Sequence, residues 1–337
     1  MSIINRRKIK NKNIFYIGKN NIIYNIINDI PGERLKFMKK IYYIGKDNIK
    51  IVINYKLNKS NKKALIWIPG RNDYFYHYHI SEKIKDLDIY AIDLRNCGES
   101  IEKGSIPHYC NKLEDYFEEL DLLYEDLINK KNYEEIILYG HSTGGLISII
   151  YYEYNKNKNK NKIDKLILNS PFLYLKLDCI SDLIINYIIY YISDYIPSIN
   201  LIKINEINKY VKYVKNIMKI DIKKKSTTEL PVMTDWISSI IQNQYKIQNN
   251  EIKIEDIPIL LISSDRTVKD LNKDIGDSVL DVLKMHKFGK NLSNKNNISF
   301  IKIENGIHDV LISHGNINDE KTSLGKAFHK FIEFIRR

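Results

Sequence analysis

The segment Ile136–Gly145 reads IILYGHSTGG and joins an apolar run to a serine that lies between glycines. Its first four residues predict a short buried strand, and the residues from Gly144 onward have the pattern of a helix. Gly140, Ser142 and Gly144 therefore place the motif G-x-S-x-G at a strand-to-helix turn. Such a turn is so tight that small residues are needed two positions before and after the serine, whose hydroxyl it exposes. The motif predicts a nucleophile elbow with Ser142 as the nucleophile; the alternative is a glycine-rich turn without chemistry.

Short apolar runs and helical patterns alternate on both sides of this turn. Strands are predicted at residues 40–43, 49–57, 64–68, 89–92, 136–139, 166–171, 258–262 and 298–303, and helices at 113–129, 144–154, 268–286 and 321–335. Alternation of this kind is typical of an α/β fold with a mostly parallel sheet. The stretch from Phe172 to Asp256 is helical and interrupts the alternation, so we interpret it as an insertion between two halves of one sheet.

This interpretation divides the chain into four parts. We expect an N-terminal extension over residues 1–35, the first half of the sheet over 36–171, the insertion over 172–256 and the second half over 257–337. The extension is polar and irregular in pattern, and it carries a turn signal at Pro31-Gly32.

The composition excludes some classes of protein. Of the 337 residues, 44% are hydrophobic and 28% are charged, which is enough apolar material for a core and argues against a mainly disordered chain. The formal net charge is +12, but only eight of the 53 basic residues are arginine, and the lysines are spread over the whole chain. Proteins that bind nucleic acids use arginine forks and clustered basic residues, so we expect no nucleic-acid partner.

Cysteine usage and the apolar runs predict where the protein resides. Cys97, Cys110 and Cys179 are odd in number and widely separated, which predicts a reducing compartment without disulfides or structural zinc. Residues 1–12 are polar and basic, unlike a secretory signal, and the sequence has no apolar run of eighteen residues. We therefore expect a cytoplasmic protein, with peripheral contact to anionic membrane surfaces as an additional possibility.

A serine nucleophile needs a base, and the base needs an acid that orients it. At an elbow of this type the acid follows the serine in the chain and lies just after a later strand. Asp265 comes directly after the strand predicted at 258–262, and Asp270 is the second candidate because it lies slightly further from the strand end. The competing role for Asp265 is a helix N-cap or a solvated turn.

The base is expected in the loop after the last strand. His308 follows the strand predicted at 298–303 and is the one histidine in that loop. Position in the chain excludes the other seven histidines, which are His77, His79, His108, His141, His286, His314 and His329.

Two backbone N–H groups are expected to stabilise the negative oxygen that forms when the serine attacks a carbonyl. One belongs to the residue after the nucleophile, which is Thr143. The other comes from the loop after an earlier strand, where Gly70 allows close approach of the backbone and the Arg71 N–H is the predicted donor.

Over residues 40–337 the chain resembles the serine hydrolases that include monoacylglycerol lipases, lysophospholipases and S33-type aminopeptidase relatives. The resemblance is carried, in the family's order, by Trp67–Tyr74, Asp93–Ser100, Gly140–Gly145, Asp265 and His308–Ser313. Many relatives have His-Gly where this chain has Pro69-Gly70. The resemblance implies an α/β-hydrolase fold with an eight-stranded, mostly parallel sheet and a helical lid between strands six and seven. It also implies hydrolysis of acyl esters, monoacylglycerol or lysophospholipid above all, with no metal or organic cofactor.

The insertion would then be the lid, and its apolar stretch Leu183–Ile192 has two interpretations. It is either a helix packed on the core or a wall of an acyl pocket that touches a lipid surface. Trp236 is a further candidate for lining that pocket. Two other functions stay open: a peptidase or acyltransferase that uses the same three residues, and a binding protein that retains the scaffold without catalysis.

Overall fold

The computed structural model describes residues 14–17, 23–27, 39–44, 49–58, 61–158, 162–176, 198–201 and 207–337. Within this part of the chain, ten strands form one sheet in the order β1-β2-β3-β4-β6-β5-β7-β8-β9-β10. The strands are β1 Ile14–Ile17, β2 Ile23–Ile27, β3 Lys39–Ile44, β4 Lys50–Lys56, β5 Lys63–Ile68, β6 Asp88–Asp93, β7 Glu135–His141, β8 Lys165–Asn169, β9 Ile259–Ser264 and β10 Ile298–Ile303.

Helices and short helical turns connect these strands. The α-helices are α1 Tyr78–Lys83, α2 Phe117–Leu123, α3 Thr143–Lys158, α4 Lys209–Ile217, α5 Thr234–Gln248, α6 Val282–Gly289 and α7 Ser323–Arg336. Short 3₁₀ turns occur at Gly98–Ser100, Leu113–Tyr116, Asn129–Lys131, Lys290–Leu292 and Val310–Ile312, and one π turn occurs at Tyr124–Ile128.

The sheet is parallel from β6 to β10 and antiparallel at its other end. Strands β5 to β10 pair in parallel, whereas β1 to β4 pair antiparallel with one another and β4 pairs antiparallel with β6. Every residue of β6, β8 and β9 is buried, which explains why these strands appear in the sequence as continuous apolar runs. Because parallel strands end at the same edge of a sheet, the loops after β5, β7, β9 and β10 meet there.

The core lies in two layers, one on each face of the sheet. One layer packs α2, α3, α5 and α6 against the sheet, and the second layer packs α1 and α7 against the opposite face. Trp67 on β5 belongs to the second layer, where its ring meets Phe331 of α7 at 6.3 Å between centroids. The α/β-hydrolase architecture expected from the sequence is confirmed by this arrangement.

The sheet has ten strands instead of the expected eight because the N-terminal extension contributes β1 and β2. These strands have only four and five residues, and they pair in register with each other and with β3. Main-chain hydrogen bonds to a neighbouring strand can hold so short a segment, and they leave little trace in the side-chain pattern.

The helix expected over residues 268–286 begins only at Val282, so that prediction is wrong for residues 268–281. Aspartates in this stretch accept hydrogen bonds from nearby backbone N–H groups: Asp270 from Asn272, Asp274 from Ile275, and Asp277 from Val279 and Leu280. Short carboxylate side chains compete in this way with the helical hydrogen bonds of the backbone, and the segment forms a loop.

The insertion lies between β8 and β9, which are neighbours in the sheet. Its described parts include α4 and α5, and α5 packs into the same core layer as α3. The apolar stretch Leu183–Ile192 and Cys179 lie outside the described residues. In the part of the chain that the structure covers, no helix is both long and apolar enough to cross a bilayer.

Candidate active site

Ser142 lies between the end of β7 and the start of α3 with a φ of 53°, in the left-handed region that non-glycine residues rarely adopt. Its backbone is tied on both sides, since its N–H donates to the Asn169 carbonyl and its own carbonyl accepts from the Phe172 N–H. A Cβ at Gly144 would lie 2.4 Å from the Ile68 carbonyl oxygen. The elbow predicted from the sequence is therefore present as a strained turn that tolerates only glycine at this position.

His308 lies in the loop after β10 and lines the same cavity as Ser142. Its Nδ1 is 2.8 Å from Oδ2 of Asp277, and both side chains are almost completely buried. With Nδ1–H directed at a carboxylate, the neutral ring carries its lone pair on Nε2. The structure thus brings together a serine and an oriented imidazole.

The partner of His308 is Asp277, so the structure contradicts the expectation that Asp265 or Asp270 orients this imidazole. Asp265 is half-buried and accepts a hydrogen bond from the Asn305 N–H, beside the Arg266 guanidinium. Asp270 caps its own loop through Asn272. Both residues lie close in the chain to the end of β9, at Ser264.

Asp277 reaches the site because the loop after β9 folds back on itself. Its N–H donates to the Arg266 carbonyl, and its own carbonyl accepts from the Val268 N–H. The Oδ1 atom accepts two backbone N–H groups, and Oδ2 faces His308. One feature of the sequence could have indicated Asp277. It lies four residues before the N-cap Asp281 and is followed by Ser278, in a stretch with too many aspartates for a stable helix.

The loop after β5 approaches Ser142 closely, as Gly70 was predicted to allow. A Cβ on Gly70 would lie 3.0 Å from Cβ of Ser142. Arg71 and Thr143 both line the cavity beside Ser142. Thr143 is the first residue of α3, and an N–H group in the first turn of a helix has no acceptor within that helix.

A buried network of charged side chains lies behind His308. Asp309 follows it in the chain, with Oδ2 at 2.7 Å from Nε2 of His77 and Oδ1 accepting a hydrogen bond from the Asn169 amide. Burial alone would raise the pKa of Asp309, but His141 and His77 outweigh it and hold that pKa far below the usual range. The network therefore holds the loop that carries His308.

Asp73 extends this network to the insertion. Its Oδ1 lies 2.8 Å from Nζ of Lys225, and its Oδ2 lies 3.1 Å from Nδ1 of His141. Burial opposes ionisation, but these two partners lower the pKa of Asp73 to about 2. Burial likewise disfavours a charged His141, yet Asp309 and Asp73 outweigh it and raise the pKa of His141. Its ring centroid lies 4.9 Å from that of His308.

Asp73, His141 and Asp309 are also the one group of the described residues whose ligand atoms lie close enough together to hold a metal ion. Their carboxylate oxygens already accept hydrogen bonds from Lys225, His77, Asn169 and backbone N–H groups. The Lys225 ammonium, 2.8 Å from Oδ1 of Asp73, already supplies a positive charge to one of these carboxylates. The donor set therefore fits a hydrogen-bonded charge network better than a metal site.

The cavity that Ser142 and His308 share has a volume of about 720 Å³. Much of its wall is apolar and comes from the insertion and from the loops beside it, including Phe172, Tyr174, Leu175, Val232, Trp236, Ile237, Leu271 and Leu280. Trp236, which the sequence offered as a candidate for this pocket, is among these residues. A cavity of this size and lining can hold an extended apolar ligand.

His108 was excluded as a catalytic base, but the structure gives it a position next to the site. Its Nδ1 accepts a hydrogen bond of 3.1 Å from the Asn72 N–H, one residue after Arg71. Burial, together with the charge of Arg71, lowers the pKa of His108 to about 3. The neutral ring therefore serves as an acceptor that holds the loop after β5.

We expect this buried neutral histidine to make folding sensitive to mild acid. Between the ordinary pKa of 6.5 and the lowered value of about 3, the unfolded chain binds a proton that the folded protein does not. The free energy of unfolding contributed by His108 is thus fully present above pH 6.5 and falls by about 1.4 kcal/mol per pH unit below it. Urea unfolding at pH 7, 6 and 5 measures this slope.

The matched variant for this measurement is His108→Asn. Asparagine does not titrate and accepts the left-handed φ of 58° found at this position. His286, whose pKa burial lowers to about 4, is present in both proteins, so the difference between the two slopes isolates His108. Equal slopes in the two proteins would contradict the expectation.

Several solved structures that resemble this fold are lipases or esterases. The chain is similar to a monoglyceride lipase from Saccharomyces cerevisiae solved with a substrate analogue, at 14% identity and a TM-score of 0.67 over 91% of this chain and 98% of the lipase. It is also similar to the monoacylglycerol lipase of Paleococcus ferrophilus, at 16% identity and a TM-score of 0.59 over 84% and 97% of the two chains. A carboxyl esterase from Bacillus coagulans gives 10% identity and a TM-score of 0.57 over 89% and 98%.

These identities are low enough that the likeness shows the fold alone. Among curated protein sequences, no significant match to the chain is found. The family model described as serine aminopeptidase, S33, matches residues 59–313, which is most of the chain and includes Ser142, Asp277 and His308. The chain belongs to this S33 family of serine hydrolases with the α/β-hydrolase fold.

Proposed function

We propose that the protein hydrolyses carboxylic esters of acyl chains, of the monoacylglycerol or lysophospholipid type, with Ser142, His308 and Asp277 as its catalytic residues. The observation that carries this proposal is the strained Ser142 in one cavity with His308, whose Nδ1 is 2.8 Å from the buried Asp277 carboxylate. Asp277 takes the role that the sequence had suggested for Asp265.

The proposed reaction follows from these positions. His308 Nε2 takes the proton of the Ser142 hydroxyl as its oxygen attacks the ester carbonyl, and Asp277 stabilises the imidazolium that forms. The backbone N–H groups of Arg71 and Thr143 donate to the negative oxygen of the tetrahedral intermediate. His308 then gives its proton to the leaving alcohol, which departs and leaves an acyl group on Ser142. A water molecule deprotonated by His308 releases the fatty acid and restores the serine.

The proposed substrate class rests on the shape and lining of the cavity. Its apolar wall suits an acyl chain, and its volume lies in the range of sites for small molecules. Leu201, Ile207 and Val279 line the cavity and are about half exposed, at 58%, 60% and 46%. Exposed apolar side chains at a cavity mouth, with Lys209 and Lys269 beside them, suit contact with a lipid surface that presents the substrate.

The experiment that tests the catalytic proposal is labelling by a fluorophosphonate probe, which reacts with a serine only when a base and an oxyanion hole activate it. We expect the wild type to be labelled, and the Ser142→Ala variant to remain unlabelled while keeping the same circular dichroism spectrum. Prior incubation with a short-chain monoacylglycerol ester should slow the labelling, because the two compete for one cavity.

A substrate panel then tests the ester class. We expect release of fatty acid from monoacylglycerols or lysophospholipids to exceed hydrolysis of peptide amides of similar size. Faster amide cleavage would favour a peptidase, and a folded wild type that takes up no probe would favour a binding protein on this scaffold.

A further inference from the structure

The insertion is joined to the loop that carries the proposed oxyanion donor at each residue of Arg71–Asp73, here called the oxyanion loop. The Arg71 guanidinium donates to the carbonyls of Leu230 and Pro231, at 3.0 and 2.7 Å. Asn72 and Ser226 exchange two hydrogen bonds: the Asn72 amide donates to the Ser226 carbonyl, and the Ser226 N–H donates to the Asn72 side-chain oxygen.

The third connection is an ion pair and has a different character. Nζ of Lys225 lies 2.8 Å from Oδ1 of Asp73, with the two side chains 3% and 2% exposed. The other carboxylate oxygen of Asp73 faces His141, the residue before Ser142. Removing one partner of a buried ion pair leaves an uncompensated charge, whereas the hydrogen bonds of Arg71 and Asn72 are only partly buried and their loss leaves groups that water can reach more easily. Of these three connections between the oxyanion loop and the insertion, the ion pair with Lys225 is therefore the one that water cannot readily replace.

The geometry of this loop matters for the chemistry. Gly70 brings the backbone against Ser142, and Asn72 then adopts a left-handed φ of 55°. The Arg71 N–H lies between these two constraints, so its direction depends on how the loop is held. An oxyanion donor must lie within hydrogen-bond distance of the negative oxygen, and a misplacement of about 1 Å can cost about 100-fold in rate.

We propose that Lys225 is a positioning residue: through its ion pair with Asp73, the insertion holds the oxyanion loop in the conformation that stabilises the tetrahedral intermediate. The insertion then completes the oxyanion hole in addition to covering the cavity. This inference rests on the proposed function, since it requires Arg71 to be an oxyanion donor to an ester that reacts with Ser142.

The test is Lys225→Met, which keeps the length of the side chain and removes its charge. With the best ester substrate, we expect kcat to fall by about 10- to 100-fold while KM changes little, because the donor acts on the transition state more than on the bound ester. The inhibition constant of a trifluoromethyl ketone, which forms a tetrahedral adduct with the serine, should rise by the same factor as kcat/KM falls. A loss of folded protein alone would lower the amount of active enzyme and leave this inhibition constant unchanged.

Two further variants separate positioning from charge compensation. Lys223→Met makes the same change at an exposed lysine of the same segment, and we expect its kcat and its inhibition constant to equal those of the wild type. The double variant Asp73→Asn with Lys225→Met removes both charges, so no buried carboxylate is left unpaired. We expect this double variant to recover stability against urea and to remain slow, because the connection to the loop is still missing.

The outcomes distinguish this inference from the proposed function. A wild type that hydrolyses esters, together with a Lys225→Met variant that has the same kcat and inhibition constant, would overturn the role of Lys225 and leave the proposed function intact. Recovery of wild-type kcat in the double variant would also overturn it, because charge compensation alone would then suffice. A wild type that neither takes up the fluorophosphonate probe nor hydrolyses esters would overturn both.

Discussion

Replacing Asp277 by asparagine is expected to lower kcat/KM for the best ester substrate by about 10⁴-fold, while Asp265→Asn leaves it near the wild-type value. The carboxylate of Asp277 accepts a hydrogen bond from Nδ1–H of His308, with 2.8 Å between Nδ1 and Oδ2. This hydrogen bond keeps the proton on Nδ1 and the lone pair on Nε2. The amide of an asparagine can donate to Nδ1 instead, which favours the tautomer with its proton on Nε2 and removes the base.

The comparison with Asp265→Asn is informative because the sequence predicted Asp265 as the acid, whereas the structure places Asp277 beside His308. Asp265 accepts a hydrogen bond from the Asn305 N–H, and an asparagine oxygen can accept that hydrogen bond equally well. Steady-state kinetics should be accompanied by urea unfolding, so that a loss of folded protein is not mistaken for a loss of the base. If Asp265→Asn were the inactive variant, the pairing of His308 with Asp277 would have no catalytic meaning.

Gly144→Ala is expected to reduce the free energy of unfolding by at least about 3 kcal/mol and to abolish ester hydrolysis. The new Cβ would lie 2.4 Å from the Ile68 carbonyl oxygen and 2.5 Å from that of Pro69. These are backbone atoms at the end of β5, so they cannot turn away as the tip of a side chain would. Relief requires separation of α3 from β5, which moves Ser142 away from the oxyanion loop.

The matched control for this variant is Gly104→Ala. Gly104 has a φ of 90°, but a Cβ there would meet nothing within 4 Å. The substitution should therefore cost only the backbone strain of a left-handed residue, about 1 kcal/mol, and leave activity unchanged. Chemical denaturation measures both free energies, and a Gly144→Ala protein as stable and as active as the control would show that the elbow is not tightly packed.

Local patterns were sufficient to predict the tight turn at Ser142 and the position of His308 after the last strand. The apolar run before Gly140 and the glycine at position 144 define a strand, a tight turn and a helix within ten residues. Predicting the position of His308 required one further fact: the loop after β10 begins at the same edge of the sheet as the loop after β7. In both cases the decisive contacts are between residues close in sequence or follow directly from a parallel sheet.

Asp277 could not be found in this way because its position beside His308 depends on the path of a loop. Residues 268–281 have a pattern that also fits a helix, and that interpretation hid Asp277 twelve residues beyond Asp265. The Asp277 N–H donates to the Arg266 carbonyl and the Val268 N–H donates to the Asp277 carbonyl; these two hydrogen bonds turn the chain back toward the site, and they form only in the folded protein. Similarly, β1 and β2 are held by pairing with neighbours that no local pattern specifies.

The buried charge network could not be predicted from the sequence either, because its partners are even further apart in the chain. Asp73 and Lys225 are separated by 152 positions, and His77 and Asp309 by 232, yet each pair is in direct contact. In the sequence they are ordinary charged residues. The amino-acid sequence was therefore enough to predict the α/β fold, the turn at Ser142 and the loop that carries His308, because hydrophobic periodicity and tight turns depend on residues close together in the chain. Tertiary packing decided that Asp277 is the carboxylate beside His308 and that the insertion contacts the oxyanion loop, because packing brings into contact residues that are far apart in the chain and shields them from water.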